Sequence, residues 1–149
     1  MKYLGSHTIR GAMIASDTEL KKVYLNDGHF NHAFRIRSFT ISQQDRTSAT
    51  SFFLNGLLAT EEDVRADNWD WADNRQIAWC QVMEDGNQPA LATPKEVIDP
   101  DNLIVEDLYI GIYAYGDVAE PVNYILTMDK FEITEWEGAL SIVRNSSQG

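Results

Sequence analysis

Leu103-Ile-Val-Glu-Asp-Leu-Tyr-Ile-Gly-Ile-Tyr-Ala-Tyr115 is followed, after a short connection holding Gly116 and Asp117, by Val122-Asn-Tyr-Ile-Leu-Thr-Met-Asp-Lys-Phe-Glu-Ile133. Both stretches are dense in β-branched and aromatic residues, and turn residues bound them. They read as two long strands facing each other in a hairpin. That reading puts the chain among all-β proteins, and no set of catalytic residues accompanies the strands.

Working outward, Thr8 to Ala15 is apolar enough for a first strand, and Lys22-Val-Tyr-Leu25 reads as a short second one ending at Asn26-Asp27-Gly28, a turn signal. From Ala33 to Ser42 the apolar positions alternate as Phe34 and Ile36, then as Phe39 and Ile41. The phase slips by one near Ser38, which predicts a bulge or a bent strand. Thr50 to Ala59 reads as a strand broken at Asn55-Gly56, and Arg75 to Met83 as a further strand. Thr60-Glu-Glu-Asp-Val-Arg-Ala66 opens on a capping residue followed by acids, the order of a short helix. Glu84 to Asn102 holds three of the four prolines and reads as irregular. Near the end, Trp136, Ala139 or Leu140, and Val143 fall at helical spacing after Thr134, a candidate cap. A short C-terminal helix packed on the sandwich is predicted. Seven or eight strands with turns between them favour a single antiparallel two-sheet β-sandwich over residues 1–149, with a jelly roll as the expected topology.

Composition narrows the function classes. The chain has 149 residues, 44% of them apolar, which is enough for a core and argues against wholesale disorder. Twelve Lys and Arg against 23 Asp and Glu give a formal net charge of -11, which repels phosphate backbones and anionic headgroups. Direct nucleic-acid binding is therefore not expected. The basic residues Arg35 and Arg37, and the neighbours Lys21 and Lys22, read as a solvated face. No run of about 20 apolar residues suggests membrane insertion, and Met1-Lys-Tyr-Leu-Gly-Ser-His7 does not resemble a signal peptide. The expectation is a chain made in a cytoplasm that stays soluble or leaves within an assembly.

Candidate sites are few. Cys80 is the only cysteine, set in a strand-like stretch, and reads as a buried inert thiol. His29 and His32 lie three apart at the start of a strand, where such residues point to opposite faces, so metal binding is not expected. Asp67-Asn-Trp-Asp-Trp-Ala-Asp-Asn74 only loosely imitates a calcium loop. No Ser-His-Asp pattern and no phosphate-binding glycine loop occurs, and neither a catalytic residue nor a cofactor is assigned. Trp69 and Trp71 alternate within this loop, so both are expected to project the same way. Three readings stay open for them: a cap or core element, a subunit interface, or a sugar-binding platform. Trp79 and Trp136 are expected in the core. Arg144 and Asn145, with Trp69, Trp71 and Trp136, form the candidate contact residues.

Several stretches together resemble small structural proteins of bacterial viruses, especially those of uncultured aquatic phages. They are Leu25-Asn-Asp-Gly-His29, Phe34-Arg-Ile-Arg-Ser-Phe-Thr-Ile41, Trp71-Ala-Asp-Asn-Arg-Gln-Ile-Ala-Trp79, Ile98-Asp-Pro-Asp-Asn-Leu-Ile-Val-Glu-Asp-Leu-Tyr-Ile110, Val122-Asn-Tyr-Ile-Leu126 and Ala139-Leu-Ser-Ile-Val-Arg-Asn-Ser-Ser-Gln148. The resemblance implies a β-sandwich or jelly-roll subunit that builds or decorates an icosahedral capsid by homo-oligomerisation, with itself and other virion proteins as partners and the virion as its location. It assigns no residue a role. The absence of a basic arm at either terminus favours an outer or accessory position, or a virus whose genome is separated from the shell by another layer, over a genome-contacting shell. The rival expectation is a carbohydrate-binding sandwich using Trp69 and Trp71.

Overall fold

The computed structural model of the chain describes residues 1–16, 18–25, 28–29, 31–44, 52–84, 93–116 and 121–146. Of residues 52, 84, 93, 94, 116, 135, 145 and 146 it describes the backbone alone. Eight strands precede one helix: β1 (Lys2–Met13), β2 (Lys21–Val23), β3 (His32–Gln43), β4 (Phe52–Ala59), β5 (Gln76–Glu84), β6 (Thr93–Ile98), β7 (Leu108–Gly116), β8 (Val122–Glu132) and α1 (Glu135–Ser146). They form two antiparallel sheets, one ordered β1-β8-β3 and the other β2-β7-β4-β5-β6. The fold is all-β, an antiparallel two-sheet sandwich with a short C-terminal helix, as the strand pattern predicts.

The expected hairpin is not formed. β7 and β8 are consecutive, yet β7 lies between β2 and β4 while β8 lies between β1 and β3. Each strand carries one buried row, Leu108, Ile110 and Ile112 on β7 and Tyr124, Leu126 and Met128 on β8, and all six belong to one core cluster. Crossing between sheets puts both strands inside a layer, with a neighbour on each side. β1 and β2 likewise lie in different sheets, as do β3 and β4, so the two halves of the chain interleave. This is the wound order of a jelly roll, with one departure: β6 stays beside β5 and does not close the first sheet beside β3.

Among the described residues that departure leaves the outer edge of β3 without a strand, and an unpaired edge is a liability. Two devices occupy it. Phe34 and Ile104 exchange both backbone hydrogen bonds at 2.8 Å, and farther along the Phe39 N–H donates to Glu96 Oε2 on β6 at 2.8 Å. A side-chain carboxylate thus takes the place of a ladder carbonyl.

Local details follow from the residues. The phase slip near Ser38 is a register shift between Ile36 and Ser38 against β8, and it keeps Phe34, Ile36, Phe39 and Ile41 all facing inward and buried. Gly28 adopts a positive φ of 86° at the predicted turn. Asn55-Gly56 does not break β4, which pairs continuously with β5 and β7 there. Gly56 instead makes room: a Cβ at that position would sit 2.7 Å from Cys80 Sγ and 2.9 Å from Phe39 Cζ.

Two further expectations are corrected. Residues 60–66 form turns and bends, not a helix; the Thr60 N–H and hydroxyl both donate to the Arg75 carbonyl, at 2.9 and 3.4 Å, which ties the start of the segment to the end of the next loop. Val64 and Ala66 are buried there. The segment Glu84 to Asn102, expected to be irregular, contains β6, an edge strand in which Pro94 is tolerated; its residues 85–92 lie outside the described residues.

Candidate functional site

The loop from Asn68 to Arg75 is fixed by side chains, and this decides where its tryptophans point. Gln76, buried at the start of β5, accepts hydrogen bonds at Oε1 from Trp79 Nε1–H (3.0 Å) and the Asp70 N–H (2.9 Å), and donates from Nε2 to the Asn68 carbonyl (2.9 Å). Asp73, also buried, receives Arg75 Nε–H at 2.9 Å and Nη2–H at 2.7 Å, and Arg75 Nη1 reaches Asp63 at 3.0 Å. The Arg75 guanidinium holds the Asp73 carboxyl below its ordinary range, outweighing the opposing effect of burial. Trp79 is 6% exposed, in the core as expected, within a cluster with Leu57, Ala59 and Val64 on the face of the five-stranded sheet turned away from β8.

Trp69 and Trp71 are unequally buried. Trp69 is half-buried against the Trp79 cluster, whereas Trp71 is 63% exposed and its ring meets that of Trp79 at 5.9 Å and 57°. Both tryptophans thus adjoin Trp79, one largely covered and one open to solvent. The loop's acids are engaged locally: Asp67 pairs with Arg65 at 2.8 Å, and Asp70 Oδ1 accepts the Ala72 N–H at 3.0 Å.

The other candidate residues have equally definite places. The rings of His29 and His32 lie 5.3 Å apart, where opposite faces were expected, because His29 belongs to the preceding turn and its carbonyl accepts the His32 N–H. Among the described residues no group of three His, Cys, Asp or Glu is placed to hold a metal ion. Cys80 is buried, and burial, reinforced by Glu96, raises its thiol far above the ordinary range. Arg37 pairs with Asp129 at 3.4 Å and Lys22 with Asp107 at 3.1 Å, so these cations are interleaved with acids. On the outer face of β1, β8 and β3 a cavity of about 550 Å³ is lined by short side chains, including Ala12, Thr40, Ser42 and Asn123, beside Arg10 and Ile125.

The strongest anomaly is α1. Thr134 caps it, its hydroxyl accepting the Glu137 N–H at 3.1 Å, as predicted. Arg144 in the last turn donates to the Asp101 carbonyl at 3.1 Å and approaches Asp99 at 3.7 Å. Between these tethers the helix meets the sandwich through buried Gly138 and partly buried Ile142, which packs on Ala33, Val105 and Ile133. The expected contact face is reversed: Trp136 is 71% exposed, Leu140 50% and Val143 67%. Trp136 is thus not a core residue. The three stand at i, i+4 and i+7 and form one apolar stripe on the outside of the helix. Asn145 lies in the same helix, and its side chain is outside the described residues.

Comparison of the chain with known protein families, with curated proteins and with solved structures finds no match.

Proposed function

We propose that this chain is a structural subunit, of the kind that builds or decorates an icosahedral viral capsid by repeated contacts, and that α1 carries one of those contacts. The observation behind the reading is the stripe of Trp136, Leu140 and Val143, turned to solvent on a helix that is capped and tethered. Single exposed apolar residues are ordinary, but aligned ones that include a tryptophan mark contact surfaces. The sequence resemblance to phage structural proteins supplies the virion setting. Jelly-roll winding is used by capsid proteins, which is compatible with it. The formal charge of -11 favours protein partners, itself and other virion proteins, over packaged nucleic acid.

Light scattering over a rising protein concentration tests the reading. The expected result is a mass that grows beyond the monomer, and Trp136→Ser should reduce that growth while leaving the circular dichroism unchanged. A monomer at every concentration, unaltered by virion partners, would remove the proposal.

One observation favours a second reading, a glycan-binding role, since lectins share this winding. Trp71 is held outward by a pinned loop, a single ring on which a sugar can stack. Glycan-array binding lost in Trp71→Ala would support it, and an array without hits would discard it.

A further inference from the structure

The exposed face of α1 is self-complementary, and we infer that its occupant is the α1 of a second copy, packed antiparallel about a two-fold axis through Leu140. This rests on the assembly reading above and names the partner for its contact. A two-fold axis there places Leu140 on Leu140 of the second copy, and Trp136 opposite the second copy's Val143, so the bulky end of each stripe meets the slimmer end of the other. Isologous pairing of this kind is the commonest way for identical chains to close.

Charge agrees with the register. Glu137 and Arg144 are both exposed and seven residues apart, hence about 20° apart around the helix axis, on one flank of the stripe. In the antiparallel pair that flank faces its own copy, and Glu137 comes beside Arg144 of the second copy, twice by symmetry. In a parallel two-fold pair the flank that carries Glu137 and Arg144 would lie on opposite sides of the two copies, and this pairing of opposite charges would not form. Arg144 keeps its bond to the Asp101 carbonyl through Nη1 and its approach to Asp99 through Nη2, and with five N–H donors a guanidinium can serve several acceptors at once. Antiparallel packing also sets each helix's N-terminal end beside the other's C-terminal end, the favourable alignment of the two dipoles.

The contact is small. Stable interfaces bury about 1,200–2,000 Å² in total, and one Trp, one Leu and one Val, part of each already covered, offer a few hundred per copy. Association through α1 alone is therefore weak, as suits a contact repeated many times within a larger assembly.

Sedimentation velocity of the full chain, from about 10 μM to about 1 mM, tests the geometry with Glu137→Arg and Arg144→Glu. Each variant alone places two like-charged pairs at the axis, and self-association should weaken about tenfold or more relative to wild type. Mixed in equal amounts they should associate as wild type does, because in the heterodimer the two arginines of one variant face the two glutamates of the other, and both pairs are again of opposite charge. Recovery on mixing also shows that neither variant has misfolded. If wild type self-associates and both variants do so equally well, or the mixture fails to recover, this docking geometry is wrong while the assembly reading stands. If wild type stays monomeric throughout, both fall together.

Discussion

The Asn68–Arg75 loop and α1 both present tryptophan near the surface, and they treat it in opposite ways. The loop draws Trp69 inward against Trp79 and satisfies the Trp79 indole N–H with Gln76. α1 is capped at its start by Thr134, held at its end by Arg144 and packed on the sandwich through Ile142, yet it leaves Trp136 in water with Leu140 and Val143 beside it. The loop is organised for the stability of the chain itself. The outer face of α1 contributes little to that stability, so its apolar surface makes physical sense as a surface for a partner.

The difference can be broken or sharpened by substitution, and the largest effect is expected at the loop's anchor. Trp79→Ala removes the centre of the second core cluster and should cost about 3–5 kcal/mol in urea unfolding. Gly56→Ala, on the same strand pair, forces a Cβ against Cys80 Sγ and the Phe39 ring and should cost about 1–3 kcal/mol. Gln76→Leu leaves the Trp79 indole N–H and the Asp70 N–H without their acceptor, a loss of about 1–3 kcal/mol. The same change should release the loop and move Trp71 fluorescence. Trp136→Ser, by contrast, should shift the unfolding free energy by less than about 0.5 kcal/mol while reducing self-association. A Trp136 substitution as costly as the one at Trp79 would erase the distinction between the two regions.

The pH dependence of stability adds a finer test of the loop. Arg75 lowers the folded-state Asp73 carboxyl below its unfolded value near 3.8. The unfolded chain therefore takes up this proton first as pH falls, and the stabilisation present above pH 4 is lost as pH drops through the folded value. In Asp73→Asn the loss of stability on acidification below pH 4 should be shallower than in wild type. The Trp136→Ser profile should keep the wild-type slope.

The sequence made much of this legible, and the failures have physical causes. Strand positions were readable because alternation and turn residues report burial directly, and the slip at Ser38 marked a real register shift. Pairing was not readable at β7 and β8. An apolar row states that a strand is buried on one face, and that holds equally for neighbours in one sheet and for strands facing across a core. β6 was hidden because Pro94, which suggests irregular chain, is acceptable at a sheet edge. Residues 60–66 misled because a capping residue followed by acids is a local pattern, whereas Thr60 is bonded to Arg75, a partner 15 positions away that no local signal reveals.

The site was half legible for a related reason. Spacing located the helix and its Thr134 cap, and it grouped Trp136, Leu140 and Val143 on one side. It assigned that side to the interior because it holds the more apolar residues, whereas the covered side carries Gly138 and Ile142. A glycine opposite the more apolar stripe was the available signal. Trp69 and Trp71 were grouped by alternation, which applies to strands and says nothing of burial; in a turn-rich loop held by Gln76 one is half-buried and the other exposed.

The most direct test of the central claim is to follow each tryptophan ring as the protein concentrates, using 5-fluorotryptophan incorporated into the full chain and ¹⁹F spectra with a soluble paramagnetic agent. Four resonances are expected, one for each of the four tryptophans. The account predicts that the Trp136 resonance is broadened by the agent in dilute solution and becomes protected as concentration rises, while Trp71 stays exposed and Trp79 stays protected throughout. Trp136 remaining fully accessible in the concentrated, associated protein would contradict it.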